Sequence, residues 1–136
     1  MFQQNEILIL MPFYTNGTVQ HIIDAGGGYP SCAFSKHNLK EIFLGLVNGL
    51  QFMHTIKNLR HNDLKPSNFL LSEENHVVIT DFGSVSQCVT PIRTRKEALA
   101  LQEDAASKTT PSIRPPELWD CPSNTDIDGA VGRFYL

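Results

Sequence analysis

The sequence is short of the features that mark several protein classes. Charged residues make up only 18% of its 136 positions, and 11 Lys+Arg against 14 Asp+Glu leave a formal net charge of −3. A net-negative chain sets up no field that gathers nucleic acid or an anionic membrane, so neither is an expected partner. Cysteine is scarce: Cys32, Cys88 and Cys121 lie far apart, are odd in number and form no C-x-x-C pair. This spacing argues against a zinc ribbon and a disulfide framework and points to a reducing, cytoplasmic setting. No apolar run approaches the ~20 residues that span a bilayer; the longest, Ile7 to Met11 continued through Pro12 to Tyr14, is far too short. Met1-Phe2-Gln3-Gln4-Asn5 has neither the basic start of a signal peptide nor the glycine after methionine that N-myristoylation needs. No membrane anchor is therefore expected in this chain. Internal repeats are missing, and the five histidines include no H-E-x-x-H.

What remains is globular: 41% hydrophobic residues with nine glycines and eight prolines. The length fits one domain, able to bury roughly two-thirds of its unfolded surface. Glu6 to Tyr14 (EILILMPFY) reads as a short buried strand stopped by Pro12, with a turn at Asn16-Gly17. Thr18 to Ala25 reads as a short helix ended by Gly26-Gly27-Gly28, followed by a loop over Tyr29 to Phe34. Ser35 offers an N-cap oxygen, and Leu39, Ile42, Phe43, Leu46, Val47, Leu50 and Met53 follow at helical spacing. That predicts a long amphipathic helix from Ser35 to Lys57, with Gly45 and Gly49 letting another backbone come close. Asn68 to Ser72 and His76 to Thr80 read as the strands of a hairpin. Arg95 to Ser107, rich in strong helix formers, reads as a second helix, with Leu99, Leu101, Ala105 and Ala106 as its apolar content. Thr110 to Pro116, with three prolines, reads as extended.

The chemistry sits at the two mouths of the hairpin. It is preceded by Arg60-His61-Asn62-Asp63-Leu64-Lys65-Pro66-Ser67-Asn68 and followed by Asp81-Phe82-Gly83. Pairing of two strands brings the loop that enters and the loop that leaves side by side. Asp81 and Asn68 offer hard oxygens suited to Mg²⁺, whose other positions water and phosphate fill. Lys65 is a point charge for a phosphoryl oxygen. Asp63 is a carboxylate able to orient and deprotonate a hydroxyl. Together these groups fit phosphoryl transfer, where catalysis is mostly positioning and charge neutralisation.

H-x-D-L-K-P-x-N, with D-F-G thirteen residues after the Asn, resembles the catalytic-loop and magnesium-loop pair of protein kinases. Arg114-Pro115-Pro116-Glu117 is similar to the end of their activation segment, and Met11 to Gly17 to their hinge. The stretches MPFYTNGT, KEALALQEDAAS and IRPPEL resemble the Numb-associated kinases, above all the myristoylated and palmitoylated serine/threonine branch, with Arg95 to Ser107 as an extra helix of the activation segment. The resemblance implies an α+β fold, a mainly helical kinase C-lobe carrying the catalytic-loop hairpin. It implies ATP and Mg²⁺ as cofactors and a protein substrate with a Ser or Thr hydroxyl. Asp63 is then the catalytic base, Lys65 the phosphate-contacting lysine, and Asn68 and Asp81 the metal-holding pair. Tyr14 offers its backbone N–H to adenine, Met11 is the gatekeeper, and Leu70 packs under the base. Thr110, seven residues before Glu117, braces the catalytic base. His61 is a structural residue of the loop. The branch also implies a peripheral membrane or Golgi association, resting on lipidated residues that this chain does not show.

The pattern is broken in four places. No Gly-rich phosphate loop and no strand lysine precede the hinge; Asn62 stands where an arginine is usual; Ile113 replaces a tyrosine; and Ile127-Asp128-Gly129 interrupts the central helix that Thr125-Asp126 would open. The expectation is a domain truncated at both ends: residues 1–126 a partial kinase domain, 127–136 a divergent tail. Such a chain, alone, is expected to be poorly stable and nearly inactive. The competing reading is a non-catalytic kinase-like fragment acting as an interaction module. A third, a small-molecule phosphotransferase of the aminoglycoside or choline type, shares the Asp and Asn spacing but not Lys65-Pro66, Asp81-Phe82-Gly83 or the Pro-Pro-Glu end.

Overall fold

The computed structural model describes residues 7–26 and 36–128. The first expectation to fall is the buried strand at Glu6 to Tyr14. Residues 7–14 form no strand, Ile7 to Met11 and Phe13 are exposed, and Leu10 is fully so at 102%. A row of Ile and Leu becomes a strand only where a neighbouring strand takes up its backbone groups, and among the described residues none pairs with this stretch. The Asn16-Gly17 turn is present: Gly17 (φ +68°) donates its N–H to the Tyr14 carbonyl at 3.1 Å. Helix α1 (Val19–Ala25) begins at Thr18, whose hydroxyl accepts from the His21 N–H while the His21 ring accepts from the Thr18 N–H. The predicted cap at Ser35, Gly27-Gly28 and the loop over Tyr29 to Phe34 lie outside the described residues.

Helix α2 (Lys36–Thr55) packs on an antiparallel hairpin, with Phe69 opposite Ile79 and Leu71 opposite Val77. Two-residue strand β1 (Leu59–Arg60) comes first; β2 (Phe69–Leu71) and β3 (Val77–Ile79) are the hairpin itself. Ile42, Leu46 and Leu50 of α2 join Val19, Leu64, Phe69 and Leu71 in one core, with Val77 and Ile79 against it. Gly45 and Gly49 face those two side chains: a Cβ on Gly45 would lie 2.6 Å from Val77 Cγ1, and one on Gly49 2.9 Å from Ile79 Cδ1. Of the apolar stripe read from the sequence, Ile42, Leu46, Leu50 and Met53 are buried. Leu39, Phe43 and Val47, read as part of the same stripe, are exposed, because the hairpin covers only one side of it.

The second half builds its own core. Strand β4 (Ser86–Gln87) pairs with β1, and β5 (Thr90–Ile92) pairs with β6 (Thr125–Ile127), both antiparallel. Helix α3 (Arg95–Lys108) starts in a capping box, Thr94 with Glu97, and runs one residue past its predicted end. Its packed side chains are Ala98, Leu101 and Ala105, which meet Ile92, Leu118, Cys121 and Ile127; Leu99 points out. Two further expectations are corrected here. Thr110 to Pro116 is not extended throughout, because Pro111–Ile113 makes a 3-10 turn and helix α4 (Pro116–Trp119) follows. Proline fits the first position of a helical turn, where its missing N–H has no partner to lose. Thr125-Asp126 opens no helix but lies in β6, where β-branched Thr125 and Ile127 alternate around an exposed Asp126.

Among the described residues, the five non-glycine residues with positive φ are Asn58, Asn62, Asn75, Asp81 and Asn124, the residue types whose short polar side chains tolerate that conformation. Among the described residues no helix is long and apolar enough to cross a membrane. The architecture is the α+β, mainly helical one expected.

Candidate active site

The chain leaves β1 at Arg60 and runs through His61-Asn62-Asp63-Leu64-Lys65 into a 3-10 turn over Pro66–Asn68. Pro66 presets the first dihedral of that turn, and Asn68 closes it by donating its N–H to the Lys65 carbonyl at 2.8 Å. After the hairpin, Thr80 donates its N–H to the Asn68 carbonyl at 3.0 Å. Asn68 and Asp81 therefore flank the hairpin's open end, one entering and one leaving. Asp81 is left-handed (φ 61°, ψ 70°), and its carboxylate accepts from the Gly83 N–H at 3.4 Å to start a 3-10 turn, Phe82–Ser84.

Asp63 is the centre of the cluster. It is 4% exposed, and both carboxylate oxygens are engaged. Oδ2 lies 2.7 Å from Lys65 Nζ, and Oδ1 accepts the Thr110 N–H at 2.9 Å. Lys65 Nζ also donates to Thr110 Oγ1 at 2.7 Å. Asn68 Nδ2 donates to the Asp63 carbonyl at 2.9 Å and lies 3.4 Å from Oδ2, which leaves Asn68 Oδ1 as its oxygen donor. Burial pushes the Asp63 carboxyl upward, but the hydrogen bonds from Lys65 and from Thr110 outweigh it, and the net shift is downward. Asp63 is thus a carboxylate at neutral pH, held in one orientation by a cation and a backbone N–H.

His61 ties the two loops together. Its Nδ1 accepts the Asp63 N–H at 3.4 Å and its Nε2 faces the Thr80 carbonyl at 2.9 Å, an arrangement that requires the proton on Nε2. Its ring lies 5.7 Å from that of Phe82, and its carbonyl accepts from the Ser84 hydroxyl. Asn62 Nδ2 donates to the Ser84 carbonyl at 2.6 Å and to Ser86 Oγ at 2.9 Å. The loop holding Asp63 and the loop holding Asp81 are therefore stitched together by two consecutive residues, His61 and Asn62.

Of the residues singled out in the sequence, Asp63, Lys65, Asn68 and Thr110 come together in one hydrogen-bonded cluster, and Asp81 stands beside Asn68 across the hairpin mouth. Leu70 is half-buried in β2 and bridges to Thr18. Gly17 accepts the Leu71 N–H at 3.0 Å, and Asn16 Nδ2 donates to the Ser72 carbonyl at 2.7 Å. These bonds clip the turn that follows Tyr14 onto the strand that carries Leu70. Met11, 68% exposed, is not among the packed core residues. Sequence reasoning missed Arg60, which is 0% exposed and reaches four acceptors. The only signal for it was a charged residue set between Leu59 and the buried His61.

A protein kinase domain model matches residues 1–127. The chain is 34% identical over 137 aligned positions to serine/threonine-protein kinase 16 of Rattus norvegicus, covering 98% of this chain and 43% of that protein. It is 33% identical to serine/threonine-protein kinase 16 of Homo sapiens, with the same coverage of 98% and 43%. The actin-regulating kinase PRK1 of Saccharomyces cerevisiae is 32% identical over 124 positions, 90% of this chain and 15% of that protein. The chain thus spans less than half the length of these relatives. A match that runs over nearly every residue, including the hairpin and both of its loops, shows that this chain belongs to the protein kinase domain family.

Proposed function

We propose that the polypeptide carrying this chain is a serine/threonine protein kinase that transfers the γ-phosphoryl group of ATP to a protein hydroxyl. The observation that carries the reading is the Asp63–Lys65–Thr110 cluster beside Asn68 and Asp81. Asp63, ionised and buried, accepts the proton of the substrate hydroxyl as its oxygen attacks the γ-phosphorus. Lys65, held between Asp63 and Thr110, offers its remaining N–H to a phosphoryl oxygen. Thr110 braces both. Asn68 Oδ1 and the Asp81 carboxylate would hold the metal ion, because hard oxygens from one or two protein groups leave Mg²⁺ its places for water and phosphate. Mg²⁺ bound there supplies charge neutralisation on the transferring phosphates. Among the described residues no group of three His, Cys, Asp or Glu side chains gathers, so a cation here would draw on this Asn–Asp pair. Tyr14, through its backbone, Met11 and Leu70 are the proposed adenine contacts.

The Numb-associated branch is the finer assignment. Its support is helix α3, set between Asp81 and Pro116 with the sequence RKEALALQEDAASK, and the likeness to two kinds of kinase whose segments align over this stretch. A cytoplasmic location, with ATP and a Ser/Thr-containing protein as partners, follows from the same reading. The test is transfer of labelled γ-phosphate from ATP to an acceptor protein by the full-length polypeptide. Asp63→Asn is expected to lower the rate by about 10²–10⁴-fold, the usual worth of a positioned general base, and full retention of rate would overturn the assignment.

A further inference from the structure

We propose that Arg60 is a positioning residue: it fixes the catalytic loop against the segment after Asp81 through neutral oxygens of the unmodified chain. This rests on the kinase reading above, since it concerns how that site is held. Arg60 is wholly buried at the end of β1, one residue before His61. Its guanidinium reaches three separate stretches. Nε donates to Ser86 Oγ at 2.9 Å, Nη2 to Thr90 Oγ1 at 3.1 Å, and Nη1 to the Ile127 carbonyl at 2.7 Å, with the Asp128 carbonyl at 3.5 Å.

Ser86 Oγ is the shared point. It accepts from Arg60 and, at 2.9 Å, from Asn62 Nδ2. Arg60 and Asn62 therefore close on the same hydroxyl from either side of His61, while His61 holds Thr80 and Ser84. The Asp63 loop cannot shift relative to the Phe82–Ser84 turn without breaking this set. Because β4 is only two residues long, backbone pairing with β1 alone gives that junction little hold. A planar fork with five donors suits acceptors spread over three strands, which a lysine ammonium could not address together.

The test uses the full-length polypeptide with Ser86→Ala, Thr90→Val and Arg60→Met, read by steady-state kinetics and by amide hydrogen exchange. Thr90→Val and Ser86→Ala keep the packing, so they answer the question even if Arg60→Met does not fold. The proposal expects each to lower kcat by about tenfold with the KM for ATP unchanged within twofold. It also expects faster exchange at 61–68 as well as at 84–92, and a double variant that is less than additive. Unchanged exchange at 61–68, or a loss that falls on KM alone, would overturn it. A wild type that exchanges as expected yet transfers no phosphate would sink the kinase reading and leave the tether standing on its exchange data.

Discussion

The Thr110 N–H donates to Asp63 Oδ1 at 2.9 Å across 47 positions of sequence, while its hydroxyl accepts from Lys65 Nζ at 2.7 Å. One threonine thus orients a carboxylate with its backbone and a cation with its side chain. Thr110→Val keeps the first bond and deletes the second. A hydrogen bond to a charged group is worth ~1.5–3 kcal/mol, so kcat is expected to fall by about 10–100-fold. The bond acts on the aligned phosphate contact, so the KM for ATP should move less than kcat. Steady-state kinetics on Thr110→Val and Thr110→Ser check this, with Ser expected to recover most of the rate.

Acid should loosen the same cluster. Asp63 titrates below its unfolded value in the folded chain, so its ionised form contributes stability above the unfolded pKa, and that contribution is lost as pH falls through the folded one. Glu97, drawn down by the N–H groups of Arg93 and Thr94 at the start of α3, acts in the same direction. Melting temperature is therefore expected to drop as pH falls below about 4. Asp63→Asn should flatten part of that acid limb, which thermal melts between pH 3 and 7 would show.

Two glycines of α2 should respond differently to alanine. Both changes gain about 1 kcal/mol of helix propensity. At Gly45 the new methyl meets Val77 Cγ1 at 2.6 Å, on a β-branched side chain that is stiff at χ1. At Gly49 it meets Ile79 Cδ1 at 2.9 Å, the far end of a longer side chain that can turn away. Gly45→Ala is expected to destabilise by ~1–3 kcal/mol, as overpacking does, and Gly49→Ala to be close to neutral. Denaturant unfolding of the two variants separates them.

Exposed apolar surface should govern the behaviour of the 136-residue chain in solution. Leu39, Phe43 and Val47 line one side of α2, and Ile7 to Met11 add a second apolar stretch, all exposed. Contiguous surface of this kind promotes association. Light scattering should show concentration-dependent self-association of the isolated chain, reduced by Phe43→Lys with Val47→Glu while helix content by circular dichroism is kept.

Much of the site was legible because its signal is local. Asp63, Lys65 and Asn68 sit within six positions of one another, and the hairpin between Asn68 and Asp81 is short enough that its own strand pattern announces it. Helix α2 was legible for the same reason: a 3.6-residue period sustained over several turns leaves no competing reading. Arg60 was not, because its partners Ser86, Thr90 and Ile127 are brought to it by strands of two or three residues, too short to carry a period. The stretch 7–14 was misread because apolar content measures the wish to be buried, whereas a strand also needs a neighbour. Pro111 misled in a different way: proline forbids the middle of a helix but welcomes its first turn.

The central claim is that the two loops at the hairpin mouth hold a metal-bound phosphate, and Asp81 tests it most directly. Asp81 is exposed and left-handed, and asparagine adopts that conformation readily, so Asp81→Asn alters charge with little effect on folding. Calorimetric titration of ATP into the full-length polypeptide, with and without Mg²⁺, should show binding that Mg²⁺ strengthens in the wild type and leaves unchanged in Asp81→Asn. Equal enhancement by Mg²⁺ in the two proteins would contradict the account.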